Sequence, residues 1–394
     1  MSILKTTENA VMQTYGRFPL SIKQGAGSYV WDHEGNTYLD FTSGIATCNL
    51  GHVPTGIKEA VQAQMEVLWH CSNLYHIPQQ EAAAAALTEG THLDQVFFCN
   101  SGAEANEAAW KLARKYTHDK GLKDKNVIVT FSQSFHGRTG GAMAATAQEK
   151  IHKGFAPLMP GFQHLPFNDP KSIYEIDGDK TAAVLLELVQ GEGGVRPAEY
   201  EWVQELSEVC RQKDILFMID EIQTGAGRTG TFYLYEQYNL KPDVVTLAKG
   251  IGSGFPAGAM LAVNKAAAAF TAGTHGSTFG GNPLAMTAVK ATVETLKKPF
   301  FLSEVKEKSE RFLSQLQKIE SSQVKEVRGK GCLIGIEFNG PVKEIIEQLR
   351  NRGVLVLPAG ENVVRILPPL TATNMEYEKF LSEFKEVISE RGAV

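Results

Sequence analysis

Two residues able to do covalent and acid–base chemistry stand at the ends of two short apolar runs. Residues 215–219 (ILFMI) lead into Asp220-Glu221, and residues 244–247 (VVTL) lead into Ala248-Lys249-Gly250. Runs of this length and composition are expected to be buried parallel strands. Ligands of open α/β sheets bind outside the carboxyl ends of the strands. One strand would therefore deliver a carboxylate to that edge, and the other an amine. An amine can form a Schiff base with an aldehyde cofactor, and a carboxylate can keep a ring nitrogen protonated. That pairing is what pyridoxal 5'-phosphate (PLP) requires of a protein. On spacing alone a plainer reading comes first, with Asp220 capping a turn and Lys249 a solvated surface residue. The rest of the chain has to outweigh it.

Four further stretches bear on that choice. Phe98-Cys99-Asn100-Ser101-Gly102-Ala103-Glu104 reads as a strand, a turn of small residues and a helix start. A helix N-terminus attracts anions, Gly102 lets backbone approach a phosphate, and Ser101 adds a hydroxyl. An ordinary Ser or Asn cap reads the same way. The turn has neither the dinucleotide nor the nucleoside-triphosphate glycine pattern. Phe135-His136-Gly137-Arg138 offers a ring that can stack on a flat cofactor and an arginine that can grip a carboxylate. A lone arginine is more often solvated, and His136 reads as a satisfied loop histidine. Glu192 follows an apolar run, and Arg365 lies inside one, where an unpaired charge is costly. The two could pair, with substrate competing for the arginine. Residues 275–283 (HGSTFGGNP) form a glycine-rich loop whose Ser277 and Thr278 suit a phosphate or carboxylate, or a plain turn.

The elements that must position these residues follow from periodicity. Strands are expected at 96–99, 127–131, 182–188, 215–219 and 244–247, with another at 259–263. Helices lie between them, the clearest over 105–116 with alanines and Leu112 at helical spacing, and with Glu107 and Lys111 on its outer face at i, i+4. A helix capped by Thr55 is expected to reach Leu68. Residues 29–41 read as a β-hairpin turning at Gly35-Asn36, too short to be stable alone. Such alternation implies an α/β fold with a mostly parallel sheet. Past residue 290 the pattern becomes a smaller α+β unit, with 327–338 a glycine-broken strand and a terminal helix from Met375 to Arg391.

The chain has 394 residues, more than one core usually serves, so two domains are expected. Hydrophobic and charged shares of 43% and 21% are those of a globular protein. A net charge of −5 without a basic run speaks against nucleic-acid and anionic-membrane binding. Five scattered cysteines without a C-x-x-C pair read as reduced thiols and not as a metal site. No stretch resembles a membrane span or a secretory leader, so a cytoplasmic location is expected.

Together the segments resemble the class III branch of fold type I PLP-dependent aminotransferases, the ornithine and acetylornithine group. The resemblance covers nearly the whole chain, through the pattern at 29–41 and then NSGAEANE, FHGRT, QGEGG, DEIQTGAGRTG, LAKGIG and HGSTFGGNP in order. Within the branch, SGIATCNLGH is of the bacterial acetylornithine type, and ornithine enzymes usually carry tyrosine where Ile45 stands. The resemblance implies a large PLP-binding domain over 49–290 with a seven-stranded type of sheet, a small domain over 291–394, and an N-terminal segment, 1–48, packing with the latter. It implies that Lys249 holds PLP and shuttles a proton, and that Asp220 binds the pyridine nitrogen. Phe135 and Ile222 would sandwich the ring, and Gln223 would approach its phenolic oxygen. Ser101, Gly102 and Ala103 would take the phosphate, with Thr278 reaching it from the partner subunit of a homodimer. Arg138, Ser277, Glu192 and Arg365 look like substrate contacts, with Glu192 masking Arg365 when a substrate has no carboxylate to offer there. The implied reaction moves the δ-amino group of acetylornithine to 2-oxoglutarate, an arginine-biosynthesis step. The alternatives are a related ω-aminotransferase using succinylornithine, ornithine or 4-aminobutyrate, an aminomutase or decarboxylase, and a non-enzymatic PLP-fold binding protein. Glu187-Leu188 departs from the family's usual Glu-Pro.

Overall fold

The computed structural model describes residues 10–390 and builds the alternating elements into a large sheet among helices, with a second sheet formed by the C-terminal part of the chain. The first strands are β1 (Ile22–Ala26), β2 (Tyr29–Asp32), β3 (Thr37–Asp40), β4 (Gln95–Cys99), β5 (Val127–Phe131) and β6 (Phe162–Leu165). Next come β7 (Thr181–Leu186), the short β8 (Val189–Gln190) and β9 (Arg196–Pro197), then β10 (Leu216–Asp220), β11 (Val244–Leu247) and β12 (Gly258–Ala262). The C-terminal strands are β13 (Val324–Lys330), β14 (Leu333–Phe338), β15 (Val354–Leu355), β16 (Leu357–Pro358) and β17 (Val363–Ile366).

The large sheet has seven strands in the order β4-β12-β11-β10-β7-β5-β6. Only β12 runs against its neighbours. Every residue of β7, β10, β11 and β12 is buried. Covered on both faces, such strands need no polar alternation, hence their unbroken apolar runs. The strand at 96–99 differs from expectation: it is an edge strand, with Gln95 exposed and Val96 and Phe97 half-buried. The other edge, β6, escapes the sequence pattern because its FQHL is short and polar at two of four positions.

Helix Gly102–Asp119 buries Ala105, Ala108, Ala109, Leu112 and Ala113. Glu107 and Lys111 do not pair on its outer face. Glu107 instead accepts from Thr139 Oγ1 at 2.6 Å and from the Gly141 and Ala142 N–H groups at the start of helix Gly140–Ala145, while Lys111 meets His275 at 2.8 Å. Helix Thr55–Met65 stops short of Leu68, and Pro54, not Thr55, holds its N-cap position.

Residues 327–338 form a hairpin and not one broken strand: β13 and β14 pair antiparallel, and β17 and β16 extend the sheet. Register aligns Arg328 of β13 with Gly335 of β14, and Gly335 with Arg365 of β17. The expected N-terminal hairpin is present, extended by β1, and it docks by parallel pairing of β3 with β15. Just beyond β3, Phe41 joins an aromatic cluster, stacking on Phe380 at 5.4 Å between centroids, while Phe312 meets Phe380 edge-on at 5.5 Å. Among the described residues no helix is long and apolar enough to cross a membrane.

Phe380 is fully buried between the N-terminal hairpin and the C-terminal helices. Phe380→Ala should cost roughly 3–5 kcal/mol of stability, read as a fall in unfolding temperature. An unchanged temperature would mean that this aromatic cluster does not join the two segments.

Candidate active site

Because β4, β5, β7, β10 and β11 run parallel, the residues that follow each of them meet at one edge of the sheet. They line a cavity of about 470 Å³. β4 delivers Ser101, Gly102 and Ala103, and β5 delivers Phe135, His136 and Arg138. β7 is followed by Glu187, β10 ends in Asp220 with Ile222 and Gln223 beyond it, and β11 leads to Lys249.

Asp220 is the most connected group in the cavity. Its side chain is 3% exposed, and Oδ2 accepts from His136 Nδ1 and Asn106 Nδ2, each at 2.8 Å. Oδ1 accepts from the Ile222 N–H at 3.0 Å, so the turn-capping reading also holds. Asn106 is itself oriented by Thr246 Oγ1, which donates to its Oδ1 at 2.8 Å. Burial opposes protonation of His136, but the hydrogen bond and charge of Asp220 outweigh it and raise the imidazole pKa. His136 is a loop histidine, as expected, but it is satisfied on one side only: Nδ1 bonds the buried Asp220, while Nε2 has no hydrogen-bond partner among the described residues. Asn106 is a residue that the pattern missed. Its signal was a polar side chain on the alanine-rich buried face of a helix.

Lys249 lines the cavity with a left-handed backbone, φ 44°, rare for a side-chain-bearing residue outside strained or functional sites. Burial lowers its pKa, and the Arg365 charge lowers it further. Glu187, at a position that sequence reading left without chemistry, is buried and lines the same cavity. Its Oε2 accepts from the Phe135 N–H at 3.0 Å. Burial pushes its pKa up to about 7.

Arg365 and Glu192, 173 residues apart, do pair: Arg365 Nη1 donates to Glu192 Oε1 at 2.6 Å and to Gln223 Oε1 at 3.1 Å. Burial alone would raise the Glu192 pKa, but the Arg365 charge holds it below the usual range. Arg138 is exposed at the cavity rim, its guanidinium 5.8 Å from the centre of the Phe135 ring. Ser277 and Thr278 stand apart, lining an adjacent cavity joined to the first through Asn100, whose Nδ2 donates to Ser277 Oγ at 3.2 Å.

The residues present fit PLP. Ser101 caps helix Gly102–Asp119 by accepting from the Glu104 N–H at 3.3 Å, and this N-terminus opens on the cavity. Gly102 is needed there, since a Cβ would lie 2.7 Å from Ile222 Cδ1. A dinucleotide-type glycine string does occur at Gly225–Ala226–Gly227–Arg228–Thr229–Gly230, but it opens no helix. Its Arg228 is fully buried and bonds to Asn49 and to the Cys332 and Pro368 carbonyls, so the segment is structural.

A mostly parallel seven-stranded sheet with a lysine and a carboxylate at its carboxyl edge defines the fold type I class of PLP-dependent transferases. The chain matches the class-III aminotransferase family over residues 10–388 and belongs to it. It is 58% identical over 394 residues to the acetylornithine aminotransferase of Oceanobacillus iheyensis, covering 100% of this chain and 99% of the relative. Its fold is similar to that of the N-acetylornithine aminotransferase from Stenotrophomonas maltophilia (TM-score 0.85, 34% identity, 99% of this chain and 100% of the other). It is also similar to the ornithine aminotransferase from Toxoplasma gondii in a structure with PLP at partial occupancy in the active site (TM-score 0.95, 29% identity, 99% and 94%).

The raised Glu187 pKa has a consequence for stability. Between the ordinary 4.5 and about 7 the folded protein keeps a proton that the unfolded chain has released. This group's contribution to stability therefore falls as pH rises across that window, by at most roughly 1.4 kcal/mol per pH unit, and buried Glu221, pushed up to about 7 as well, acts in the same direction. Glu187→Gln should shrink the drop in unfolding temperature between pH 5 and 7. A drop of unchanged size would show that Glu187 does not hold this proton.

Proposed function

We propose that this chain transfers the δ-amino group of N2-acetyl-L-ornithine to 2-oxoglutarate, giving N-acetyl-L-glutamate 5-semialdehyde and L-glutamate. Fold likeness alone does not choose the substrate, because ornithine and acetylornithine enzymes share the fold. The 58% identity over the full chain favours the acetylated substrate, and so does Ile45 in place of the usual tyrosine. The observation that carries the mechanism is the Arg365–Glu192 pair at 2.6 Å. Glutamate brings a carboxylate beside its reacting carbon, whereas acetylornithine brings a methylene chain. A fixed, unpaired Arg365 would suit the first and leave a buried charge with the second. Arg365 is buried while the Glu192 side chain is 32% exposed, and an Arg365 left without a carboxylate is a buried, unpaired charge, so Glu192 should yield only to another carboxylate.

PLP, when bound, supplies the electron sink through which an amino group is exchanged for a keto oxygen. Lys249 would hold it and would move a proton at the carbon that bears the amino group. The lowered pKa of Lys249 suits that work. Asp220 would hold the proton on the ring nitrogen. Phe135 and Ile222 would bracket the ring, and Gln223 would approach its phenolic oxygen. Ser101, Gly102 and Ala103 would hold the phosphate, and Arg138 would take the distal carboxylate, with Ser277 beside the substrate.

In the same reading the protein is a homodimer in which Thr278 completes the partner's phosphate site. The exposed Val67, Leu68, Trp69, Leu74, Tyr75 and Phe279 support this. Asn73 ties their segment to the Thr278 loop by donating to the Ser277 and Gly280 carbonyls, so the apolar side chains form one patch of the kind that marks an interface. The divisions 1–48, 49–290 and 291–394 fit the docking of β3 on β15 and the separate aromatic core behind it. Five free cysteines suit a cytoplasmic enzyme, and the reaction suits arginine biosynthesis.

A half-reaction screen of the PLP-loaded protein, following conversion of its visible absorbance to that of pyridoxamine phosphate, tests the substrate. Acetylornithine should react faster than ornithine or 4-aminobutyrate. A faster reaction with either of those would select the alternative ω-aminotransferase reading, which the TM-score of 0.95 to an ornithine enzyme keeps in view. Glu192→Ala should impair the acetylornithine half-reaction while sparing that of glutamate, and Arg365→Ala should impair glutamate most. Equal losses in both half-reactions from Glu192→Ala would remove the exchange.

Mixing inactive Lys249→Ala and Thr278→Ala dimers under subunit exchange should restore activity through hybrids with one intact site. No recovery, with Thr278→Ala shown to weaken PLP binding, would place both residues in sites built by one chain.

A further inference from the structure

The loop that carries Glu192 is held by two arginines from one row of the C-terminal sheet. Arg328, Gly335 and Arg365 are direct cross-strand partners on β13, β14 and β17. Such partners share a face, so the arginines stand two strand spacings apart, about 9–10 Å. Arg365 reaches the Glu192 side chain. Arg328 reaches the backbone beyond it: Nη2 and Nε donate to the Gly194 carbonyl at 2.6 and 3.0 Å, and Nε also approaches the Val195 carbonyl at 3.1 Å. Between them, Gly335 leaves room for Val195 to lie on the sheet, since a Cβ there would come within 2.8 Å of Val195 Cβ.

The two grips differ in kind. Arg365 holds a carboxylate, which a substrate carboxylate can replace. Arg328 holds main-chain carbonyls, and it is itself braced. Its Nη1 donates to Glu326 and Glu337, each at 2.5 Å, and Glu337 also accepts from Lys325 at 2.6 Å and Arg196 at 3.3 Å. Arg328 is buried, and no substrate contact is needed to explain it.

We infer that Arg328 is a positioning residue for the amine half-reaction. It clamps the loop backbone at Gly194 and Val195 so that Glu192 stands opposite Arg365. Glu192 can then release Arg365 by a side-chain movement and return to it while the loop stays in place. This rests on the Glu192–Arg365 exchange proposed above. Without the clamp the loop drifts, Glu192 spends less time at Arg365, and the substrate that lacks a carboxylate there suffers.

The test uses the PLP-loaded protein and single-turnover rates with acetylornithine and with glutamate. Arg328→Lys keeps a cation for Glu337 but lacks the planar fork that reaches carbonyls and carboxylates together. It should lower the acetylornithine-to-glutamate rate ratio by roughly fivefold, the scale of coupling within one hydrogen-bond network, in the same direction as Glu192→Ala. Glu337→Gln, which loosens the brace and keeps Arg328, should shift the ratio the same way by less. If Arg328→Lys does not fold, Glu337→Gln carries the same comparisons. In the background of Glu192→Ala, Arg328→Lys should leave the ratio unmoved, because the clamp then has nothing to position. A general loosening would not produce that non-additivity. Equal slowing of both half-reactions by Arg328→Lys, or a further full shift in the double variant, would overturn the clamp and leave the exchange standing. An unmoved ratio in Glu192→Ala alone would overturn the exchange itself.

Discussion

The buried carboxylate of Asp220 is the constraint around which the rest is arranged. A carboxylate removed from water needs its hydrogen bonds satisfied, or it costs more than any single contact returns. Asp220 is satisfied from three separate parts of the chain: Asn106 on helix Gly102–Asp119, His136 on the loop after β5, and the Ile222 N–H on its own turn. Thr246 of β11 fixes Asn106 in turn. Meeting those bonds sets the helix, the loop and two strands relative to one another. It thereby sets Gly102 at the helix start, Phe135 beside His136, and Lys249 three residues past Thr246.

The second layer of organisation is a balance of buried charge. Glu187 and Asp220 face Lys249 and His136 around one cavity, and the Glu192–Arg365 pair is joined to it through Gln223. Each shift has a physical cause: burial raises Glu187 and lowers Lys249, which the Arg365 charge lowers further, and Arg365 outweighs burial in holding Glu192 down. Arg365 comes from the C-terminal sheet and Glu192 from the segment after β8, so their bond joins that sheet to the loop of the small β8–β9 ladder. Substrate that replaces Glu192 acts on that junction, which is where Arg328 also holds.

Much of this was legible because strand ends and cavity residues are neighbours in sequence. The apolar runs before Asp220 and Lys249, the Ser-Gly-Ala turn before a helix, and an arginine inside an apolar strand each carry a physical anomaly that can be read without coordinates. Asn106, His136 and Glu187 were harder. Each supports a neighbour from a distance of 30 or more residues in sequence, and only Asn106, polar on an apolar helix face, carries a local sign of it. Glu107 shows the same limit from the other side: its i, i+4 spacing with Lys111 suggested a surface pair, but tertiary partners took both. Arg328 was invisible because its meaning lies in register with Gly335 and Arg365, which requires knowing that 327–338 turns back on itself.

The central claim is that Asp220 serves the chemistry and not merely the binding of the cofactor. Asp220→Asn keeps the shape and some of the hydrogen bonds while removing the charge. PLP affinity and the single-turnover rate with acetylornithine, measured on the same preparation, test it most directly. The expected result is a rate reduced by roughly 100-fold or more, with a much smaller loss of PLP affinity, since the helix N-terminus and the stacking residues remain. A rate that stays unchanged, or one that falls only in proportion to lost PLP, would contradict it.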